Sequence, residues 1–220
     1  MNTLSSPAVA PLLDRLFAEA DAASPLSSPA FAALSSEERT RLMRSKDDYL
    51  GLYTSLKDFA LPVSRETGQL LYILARATHA RSIVEFGTSF GLSTLHLAAA
   101  LRDNGGGRLI TSEFEPSKVA IAKANIAAAG LSDLVELREG DAIETLKVDL
   151  PETIDLLLLD GAKSLYSDVL ALVEDRLRPG AVIVADNADY CPDYLERVGS
   201  VASGYSTVSF TDDVELSVRL

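Results

Sequence analysis

The sequence predicts a doubly wound α/β fold with a mostly parallel sheet of seven strands. From Arg81 onward, short strand patterns alternate with helical patterns, which is typical of a parallel sheet covered by helices on both faces. The turn signal at Thr211–Asp213 separates the last two strand patterns, so we expect a hairpin and an antiparallel last strand. The 220 residues, of which 47% are hydrophobic, suffice for one such domain with a full core.

The individual elements follow from local patterns. The predicted strands are Ser82–Phe86, Arg108–Phe114, Val135–Glu139, Ile154–Leu159, Ala181–Ala185, Ser206–Phe210 and Val214–Leu220. The predicted helices between them are Ser93–Leu101, Pro116–Ala129, Ala142–Leu146, Leu165–Leu177 and Tyr194–Val201. Ligands of such sheets bind beyond the carboxyl ends of the strands, so the residues after each strand are the candidates for a functional site.

Residues 1–60 predict an N-terminal helical cap on a domain formed by residues 61–220, the two making a single structural domain. Pro11–Ala23 is an amphipathic helix that begins with a proline, which suits the first helical turn. Residues 24–34 contain two proline breaks and are interpreted as a linker.

Two helix starts are predicted in the second half of this region. Ser35, followed three residues later by Glu38, indicates a capping box and a helical region that extends to about Ala60. Ser64 is the expected N-cap of a further helix, Arg65–Ala77.

The composition argues against several classes of function. A net charge of -12 gives no basic surface for nucleic acid and disfavours anionic membranes. The one cysteine, Cys191, cannot form an internal disulfide, which fits a reducing, cytoplasmic setting. No apolar run is long enough to span a membrane, and residues 1–10 lack the pattern of a signal peptide. With only His79 and His96, a histidine-based catalytic triad is hard to build.

The first predicted strand ends in a turn whose glycines, Gly87 and Gly91, lie four residues apart. The dinucleotide fingerprint G-x-G-x-x-G is absent, which disfavours NAD and FAD. A glycine turn still allows the backbone to approach a small ligand closely. Ser93, in the first turn of the next helix, could donate a hydrogen bond to a carboxylate.

The next two strand ends suit the rest of a nucleoside. Glu113 can accept hydrogen bonds from both hydroxyls of a ribose, and Asp141 could accept one from an adenine amino group. Ribose, adenine and an amino-acid carboxylate, without a phosphate, describe S-adenosylmethionine. The alternative is that the two glycines only form a tight turn and that Glu113 is a surface residue.

The fourth and fifth strand ends carry residues suited to a cation and a base. Asp160 and the pair Asp186-Asn187 follow strands that should be neighbours, so two carboxylates and an amide oxygen could converge on Mg²⁺ or another divalent cation. Lys163 is the candidate base, and we expect the cation and partial burial to favour its neutral amine. The alternatives are helix-capping carboxylates, a turn asparagine and a solvated lysine.

At these residues the chain resembles the small metal-dependent O-methyltransferases, the group that contains catechol O-methyltransferase and caffeoyl-CoA O-methyltransferase. The resemblance covers roughly Leu61 to Leu220 and is carried by Ile83–Ser93, Leu109–Pro116, Asp155–Tyr166 and Gly180–Asn187. It implies a class I methyltransferase fold, which is Rossmann-like, and methyl transfer from S-adenosylmethionine to a phenolic, catechol-like small molecule. It also implies a cytoplasmic homodimer.

The resemblance and the strand ends together assign residues to roles. The cofactor-binding candidates are Glu85, Gly87, Ser93, Glu113, Phe114, Asp141, Ala142 and Asp160. The metal-ligand candidates are Asp160, Asp186 and Asn187, and the catalytic candidates are Lys163 and Asp160. The chain departs from the family in four respects. Gly161 stands where some relatives carry a bulkier residue, and Asp141 stands where an uncharged residue is expected. The chain from Ala188 onward leaves little room for a substrate loop before the last hairpin, and residues 1–60 match no part of the pattern.

Three other functions remain open from the sequence. The same fold could methylate a carboxylate, an amine or an isolated hydroxyl without a metal. The chain could bind S-adenosylmethionine without catalysis, although the expected convergence of Asp160, Lys163, Asp186 and Asn187 argues against that. A nicotinamide dehydrogenase lacks its glycine fingerprint here.

Overall fold

The computed structural model describes residues 2–200 and 202–220, and these form one seven-stranded sheet in the order β3-β2-β1-β4-β5-β7-β6. The strands are β1 Ser82–Phe86, β2 Arg108–Glu113, β3 Val135–Glu139, β4 Ile154–Leu159, β5 Leu177–Ala185, β6 Tyr205–Ser209 and β7 Glu215–Arg219. Strands β1 to β5 pair in parallel, whereas β7 is antiparallel to both β5 and β6. The predicted fold class, including the antiparallel hairpin, is confirmed.

Helices cover both faces of this sheet, and the first four belong to the N-terminal region. They are α1 Ala10–Ala22, α2 Pro29–Ala32, α3 Ser36–Arg44, α4 Tyr49–Ser55, α5 Arg65–Ala77, α6 Leu92–Asp103, α7 Pro116–Ala128, α8 Ala142–Thr145, α9 Tyr166–Val173 and α10 Pro192–Gly199. Single 3₁₀ turns occur at Thr3–Ser5, Pro25–Ser27, Lys163–Leu165, Glu174–Arg176 and Ala188–Tyr190. The predicted end of the last helix, Val201, lies outside the described residues.

The helix starts of the N-terminal region lie where the capping patterns predict them. The Ser35 hydroxyl accepts the Glu38 N–H at 3.2 Å, and the Glu38 carboxylate accepts the Ser35 N–H at 2.8 Å, which completes the capping box. The Ser64 hydroxyl accepts the Thr67 N–H at 2.9 Å at the start of α5.

Two other parts of the N-terminal region differ from the prediction. The expected linker over residues 24–34 contains a 3₁₀ turn and α2, and the expected continuous helix to Ala60 is interrupted between α3 and α4. The Ser45 hydroxyl accepts the N–H groups of Asp47 and Asp48 at 3.3 and 3.0 Å. A serine that bonds to nearby backbone in this way stabilises a turn in competition with the helix.

Strand β5 begins four residues earlier than predicted. Leu177 pairs with Ile154, and the register then shifts so that Leu156 faces Val182. Pro179 and Gly180 lie within this irregularity, where a proline without an N–H and a weak strand former are tolerated. Residues that look like a break in the sequence therefore lie inside the strand.

Two buried clusters fill the two faces of the sheet, and a third lies within the cap. Helix α1 packs its Leu12, Leu13, Leu16 and Phe17 side chains into the first cluster, as its pattern predicts. Phe31, Leu52 and Leu56 form the small third cluster. Among the described residues, no helix is long and apolar enough to cross a membrane.

Candidate functional site

Two clefts open at the carboxyl ends of the parallel strands, and they adjoin each other. The first, about 610 Å³ including its open mouth, lies over the ends of β1, β2 and β3 and is called the nucleoside cleft below. The second, about 1920 Å³ including its open mouth, lies between the ends of β4 and β5 and the cap, and is called the cap cleft. Both are lined by Asp160, Gly161, Tyr53 and Leu61, so they meet above the end of β4.

The turn after β1 forms one wall of the nucleoside cleft. Gly87 has φ 103°, and a Cβ there would stand 2.4 Å from the carbonyl oxygen of Asp160, so only glycine fits. Gly91 has φ 88° and precedes the first turn of α6. Ser89, also left-handed at φ 47°, accepts the Leu61 N–H on its hydroxyl at 3.2 Å and thereby joins the turn to the end of the cap.

Glu113 lines the nucleoside cleft and is 7% exposed. Its carboxylate accepts the N–H groups of Ser89 at 2.9 Å and Glu115 at 3.0 Å. Burial raises the pKa of Glu113, and these hydrogen bonds and the nearby Lys118 oppose the increase. A carboxylate offers about four acceptor positions, so two remain for the hydroxyls of a ribose.

Glu85 and Ser93 are brought together, but behind the cleft rather than in its lining. Glu85 is fully buried and accepts hydrogen bonds from the Ser93 and Thr94 hydroxyls, both at 2.6 Å. Burial raises the pKa of Glu85, and hydrogen bonds from Ser93, Thr111 and Thr94 oppose the increase. The Ser93 hydroxyl proton thus has an internal partner, and its expected bond to a cofactor carboxylate stays a prediction.

The third strand end places its candidates at the far side of the same cleft. Asp141, Ala142 and Phe114 all line it, together with Gly140, which has φ 132°. The exposed Asp141 carboxylate accepts the Ile143 N–H at 2.9 Å and so caps α8. The helix-capping alternative and the adenine-binding prediction are compatible, because the cap occupies one oxygen of a carboxylate that has two.

Lys118 is a cleft residue that sequence reasoning missed. Its side chain lines the nucleoside cleft, is 4% exposed and has its Nζ 3.5 Å from the Ser89 hydroxyl. Burial lowers the pKa of Lys118, against the attraction of Glu113, Asp160 and Glu115. Within residues 2–200 and 202–220, its Nζ forms no ion pair of 4.0 Å or less. One signal was present: a lysine in the first turn of a helix opposes the helix dipole.

A buried polar network joins the ends of β4 and β5. The Lys163 Nζ, on a side chain 7% exposed, donates to Asp160 Oδ1 at 3.0 Å, to the Tyr166 hydroxyl at 2.8 Å and to the Asp186 carbonyl at 3.3 Å. Tyr166 donates its own proton to the same carbonyl of Asp186 at 2.7 Å. The predicted proximity of Asp160, Lys163 and Asp186 is therefore observed, and Tyr166 completes the group.

The charge state of Lys163 differs from the expectation of a neutral amine. Burial lowers the pKa of Lys163, but the attraction of Asp160, with smaller contributions from Tyr53 and Asp186, outweighs it and raises the pKa above its ordinary value. The pKa values of both carboxyl groups are raised, first by burial and, at Asp186, also by the charge of Asp160. Without a cation, this arrangement holds Lys163 as an ammonium.

Asn187 adjoins these carboxylates in a left-handed conformation, φ 50°, on the lining of the cap cleft. Its amide nitrogen donates to Asp213 at 3.4 Å, which leaves the amide oxygen as the candidate ligand. No group of three or more His, Cys, Asp or Glu in the described part of the chain is arranged to hold a metal. The predicted ligands Asp160, Asp186 and Asn187 do not form a group of that kind, because only two of them are carboxylates and the third is an amide.

The donor chemistry at this position fits a hard cation. Asp160 and Asp186 are close to each other and largely shielded from solvent, they share the single ammonium of Lys163, and all three candidate ligand atoms are oxygens. The other reading of these residues, as ordinary helix caps, is not what the contacts show, because neither carboxylate caps a helix start.

Sequence comparison gives consistent matches. A family model described as a methyltransferase domain matches residues 84–188. The chain is 38% identical over 147 residues to a catechol O-methyltransferase of Niastella koreensis, covering 64% of this chain and 66% of that protein. It is 33% identical over 150 residues to a catechol O-methyltransferase of Sus scrofa, covering 64% of this chain and 80% of that protein.

A third relative, a catechol O-methyltransferase of Mycobacterium tuberculosis, is 35% identical over 127 residues, covering 58% of this chain and 57% of that protein. The chain thus spans less than two thirds of the length of several of the relatives it matches.

Solved structures show the same fold. A cofactor-bound protein from MTB superposes with a TM-score of 0.71 at 25% identity, covering 98% of this chain and 93% of that one. An O-methyltransferase of Streptomyces achromogenes involved in tomaymycin synthesis, solved with SAM, superposes with a TM-score of 0.63 at 26% identity. That match covers 84% of this chain and 99% of the other.

Proposed function

The chain belongs to the family of class I S-adenosylmethionine-dependent O-methyltransferases, and we propose that it methylates a hydroxyl of a catechol-like phenolic small molecule with the help of a divalent cation. One observation carries the proposal. The nucleoside cleft and the cap cleft meet at Asp160 and Gly161, and Lys163, Asp186 and Asn187 line the cap cleft beside that junction. A methyl donor in one cleft would therefore face an acceptor in the other.

The nucleoside cleft supplies the groups that S-adenosylmethionine needs. Gly87 allows the backbone to approach closely, Glu113 accepts from the ribose, and Phe114, Asp141 and Ala142 surround the base. Lys118, whose Nζ forms no ion pair of 4.0 Å or less with the described residues, is proposed to donate to a ribose oxygen beside Glu113. S-adenosylmethionine supplies the chemistry itself, a methyl group on a positively charged sulfur that is a good leaving group.

The junction supplies the groups that act on the acceptor. Asp160, Asp186 and Asn187 would hold the divalent cation, which when bound offsets the carboxylate charge and lowers the pKa of a hydroxyl that it contacts. With that cation in place, Asp160 would hold the ammonium of Lys163 less strongly, and the neutral amine of Lys163, fixed by Tyr166 and by the Asp186 carbonyl, would be the group of this chain that takes up the acceptor's proton. Most of the rate gain comes from holding both reactants in adjoining clefts in the required orientation.

The test is a methyl-transfer assay on a catechol and on an acyl-CoA-linked catechol, with added Mg²⁺ and with EDTA. Turnover of the catechol that requires the cation supports the proposal. Lys163→Ala should lose methyl transfer by roughly 10²- to 10⁴-fold while S-adenosylmethionine still binds, and Lys123→Ala, an exposed lysine on α7, should change neither. Turnover of Lys163→Ala close to the wild-type rate would remove this residue from the mechanism.

A metal-independent methyltransferase is the second candidate, and the ion pair between Lys163 and Asp160 at 3.0 Å favours it. In that case the ammonium compensates Asp160, and the acceptor is a carboxylate, an amine or an isolated hydroxyl. Catechol methylation that is unchanged by EDTA selects this candidate. A chain that binds S-adenosylmethionine and turns over no phenol would instead be a binding module.

We also propose a cytoplasmic homodimer, as the family resemblance implies. The buried free thiol of Cys191 is compatible with a reducing compartment. The edge strand β6 carries the exposed Val208 and is followed by the exposed Phe210, which offer an apolar surface for a second copy. Sedimentation of the purified chain measures its mass, and a monomer at micromolar concentration contradicts the proposed dimer.

A further inference from the structure

The cap cleft is far larger than a single phenolic ring requires, and its distal part is apolar. Four side chains of the cap, Phe31, Met43, Leu52 and Leu56, line it on the side away from the sheet, and Leu61 lines it near the junction. Phe31, Leu52 and Leu56 are less than 9% exposed and pack together, so this wall is built into the structure. A catechol bound at Asp160 and Lys163 would leave the wall uncovered.

Most of the charged side chains that line this cleft are carboxylates. Besides Asp160 and Asp186, its lining includes the carboxylates of Asp21, Glu66 and Asp213, whereas Lys163 is the one basic side chain among the described lining residues. Lys163 already forms an ion pair with Asp160. Even with a cation at Asp160 and Asp186, an acceptor with a carboxylate or phosphate in its body would therefore meet repulsion from Asp21, Glu66 and Asp213.

From these two observations we propose that the acceptor is a phenol with vicinal hydroxyls and an uncharged, extended apolar body that lies against Phe31, Met43, Leu52 and Leu56. The inference rests on the proposed function, because the hydroxyl end must reach Asp160 and Lys163. It excludes acyl-CoA-linked and other anionic acceptors as good substrates. The apolar wall contributes affinity in proportion to the acceptor surface that it covers.

The test compares methylcatechol, butylcatechol and octylcatechol, each with the alkyl group away from the hydroxyls, and a carboxylate-terminated analogue of the octyl compound. From methyl to butyl, kcat/KM should rise by at least tenfold, and full burial of three added CH₂ groups would give roughly 50-fold. The carboxylate analogue should be at least tenfold poorer than octylcatechol. Dissociation constants of the same compounds, measured by calorimetry with S-adenosylhomocysteine present, should fall in parallel.

A variant pair tests the location. Met43→Glu places a charge at a half-buried position on the wall and should lower kcat/KM for octylcatechol at least tenfold more than for methylcatechol. Ile73→Glu makes the same kind of change at a residue 56% exposed on α5, outside the cap cleft, and should leave the octyl-to-methyl ratio unchanged.

The outcomes separate the inference from the function beneath it. If methylcatechol is methylated but kcat/KM and affinity do not change along the series, the proposed apolar body of the acceptor is wrong and the proposed methyltransferase activity is supported. If affinity rises with alkyl chain length and no catechol is methylated, binding of an apolar body is supported and the proposed reaction is wrong. A carboxylate analogue as good as octylcatechol overturns the exclusion of anionic acceptors.

Discussion

Gly161→Ala tests how closely the junction of the two clefts is packed. Gly161 follows Asp160 and lines both clefts, and its hydrogen faces the ring of Phe86 at the end of β1. A Cβ at this position would stand 2.4, 2.5 and 2.6 Å from three ring carbons of Phe86, closer than side-chain carbons approach each other. The backbone of Gly161 has an ordinary φ, so the whole effect of the substitution is steric.

The expected magnitude follows from how little the ring can move. Phe86 is 6% exposed and packs edge-to-face on Tyr166, with centroids 6.2 Å apart, and Tyr166 in turn holds Lys163. Overpacking of this kind costs about 1–3 kcal/mol of stability. Because Phe86 also lines the nucleoside cleft, displacement of its ring toward that cleft by strain worth about 1.4 kcal/mol would weaken cofactor binding about tenfold.

The assay is a double-mutant cycle with urea unfolding and S-adenosylhomocysteine calorimetry on each variant. Phe86→Leu removes the atoms that the added methyl group would meet, so the double variant should recover at least about 1 kcal/mol relative to additivity. Gly51→Ala, at an exposed helical glycine where an added methyl group would have no neighbouring atom within 4 Å, should be stabilising by about 0.5–1 kcal/mol. Additive effects of Phe86→Leu and Gly161→Ala would refute the packing argument.

Three further predictions concern a cofactor contact, a positioning residue and a pH effect. Lys118→Met should weaken S-adenosylhomocysteine binding by about 1.5–3 kcal/mol in calorimetry, whereas Lys123→Met on the exposed face of the same helix should not. Tyr166→Phe removes the hydroxyl that bonds both Lys163 and the Asp186 carbonyl, so kcat for methyl transfer should fall with the KM for S-adenosylmethionine unchanged; Tyr72→Phe, whose hydroxyl bonds Asp103 at 2.7 Å, is the control. Burial lowers the pKa of His96, so at this residue the unfolded chain binds a proton before the folded chain does, and the contribution of His96 to stability should fall below about pH 6.5, by up to about 1.4 kcal/mol per pH unit. His96→Gln should flatten that slope in urea unfolding, and His79→Asn at the exposed second histidine should not.

The strand ends were predictable from the sequence because each rests on a local signal and one general rule. A run of strand-forming residues followed by glycine or a carboxylate marks a strand end, and parallel strands bring those ends to one edge. Asp160, Lys163 and Asp186 therefore meet as predicted although 26 positions separate the first and the last. The predicted fold required no knowledge of side-chain contacts.

The protonation state of Lys163 and the location of Ser93 could not be predicted in the same way. Both depend on which of several nearby partners a side chain reaches, and differences of a few ångströms in the distances to those partners decide this. Lys163 is 3.0 Å from Asp160, so attraction exceeds the effect of burial and the pKa rises. Ser93 reaches Glu85 instead of pointing into the cleft. The sequence pattern therefore predicts which groups lie near each other, but it does not predict which of them form hydrogen bonds or ion pairs.

For the helices of the cap, too, the sequence predicts a buried face but not the element against which that face packs. The amphipathic pattern of α1 indicates a buried face but not its partner, and the partner is the main core: Phe17 packs edge-to-face on His96, with centroids 6.1 Å apart. The later cap helices instead bury Phe31, Leu52 and Leu56 among themselves. The boundary at residue 60 stays a prediction, and α1, which precedes it, packs with the main core. If these residues form the proposed acceptor wall, substitutions at Phe31, Met43, Leu52 or Leu56 would alter the acceptor and leave the contacts of α1 with the main core in place.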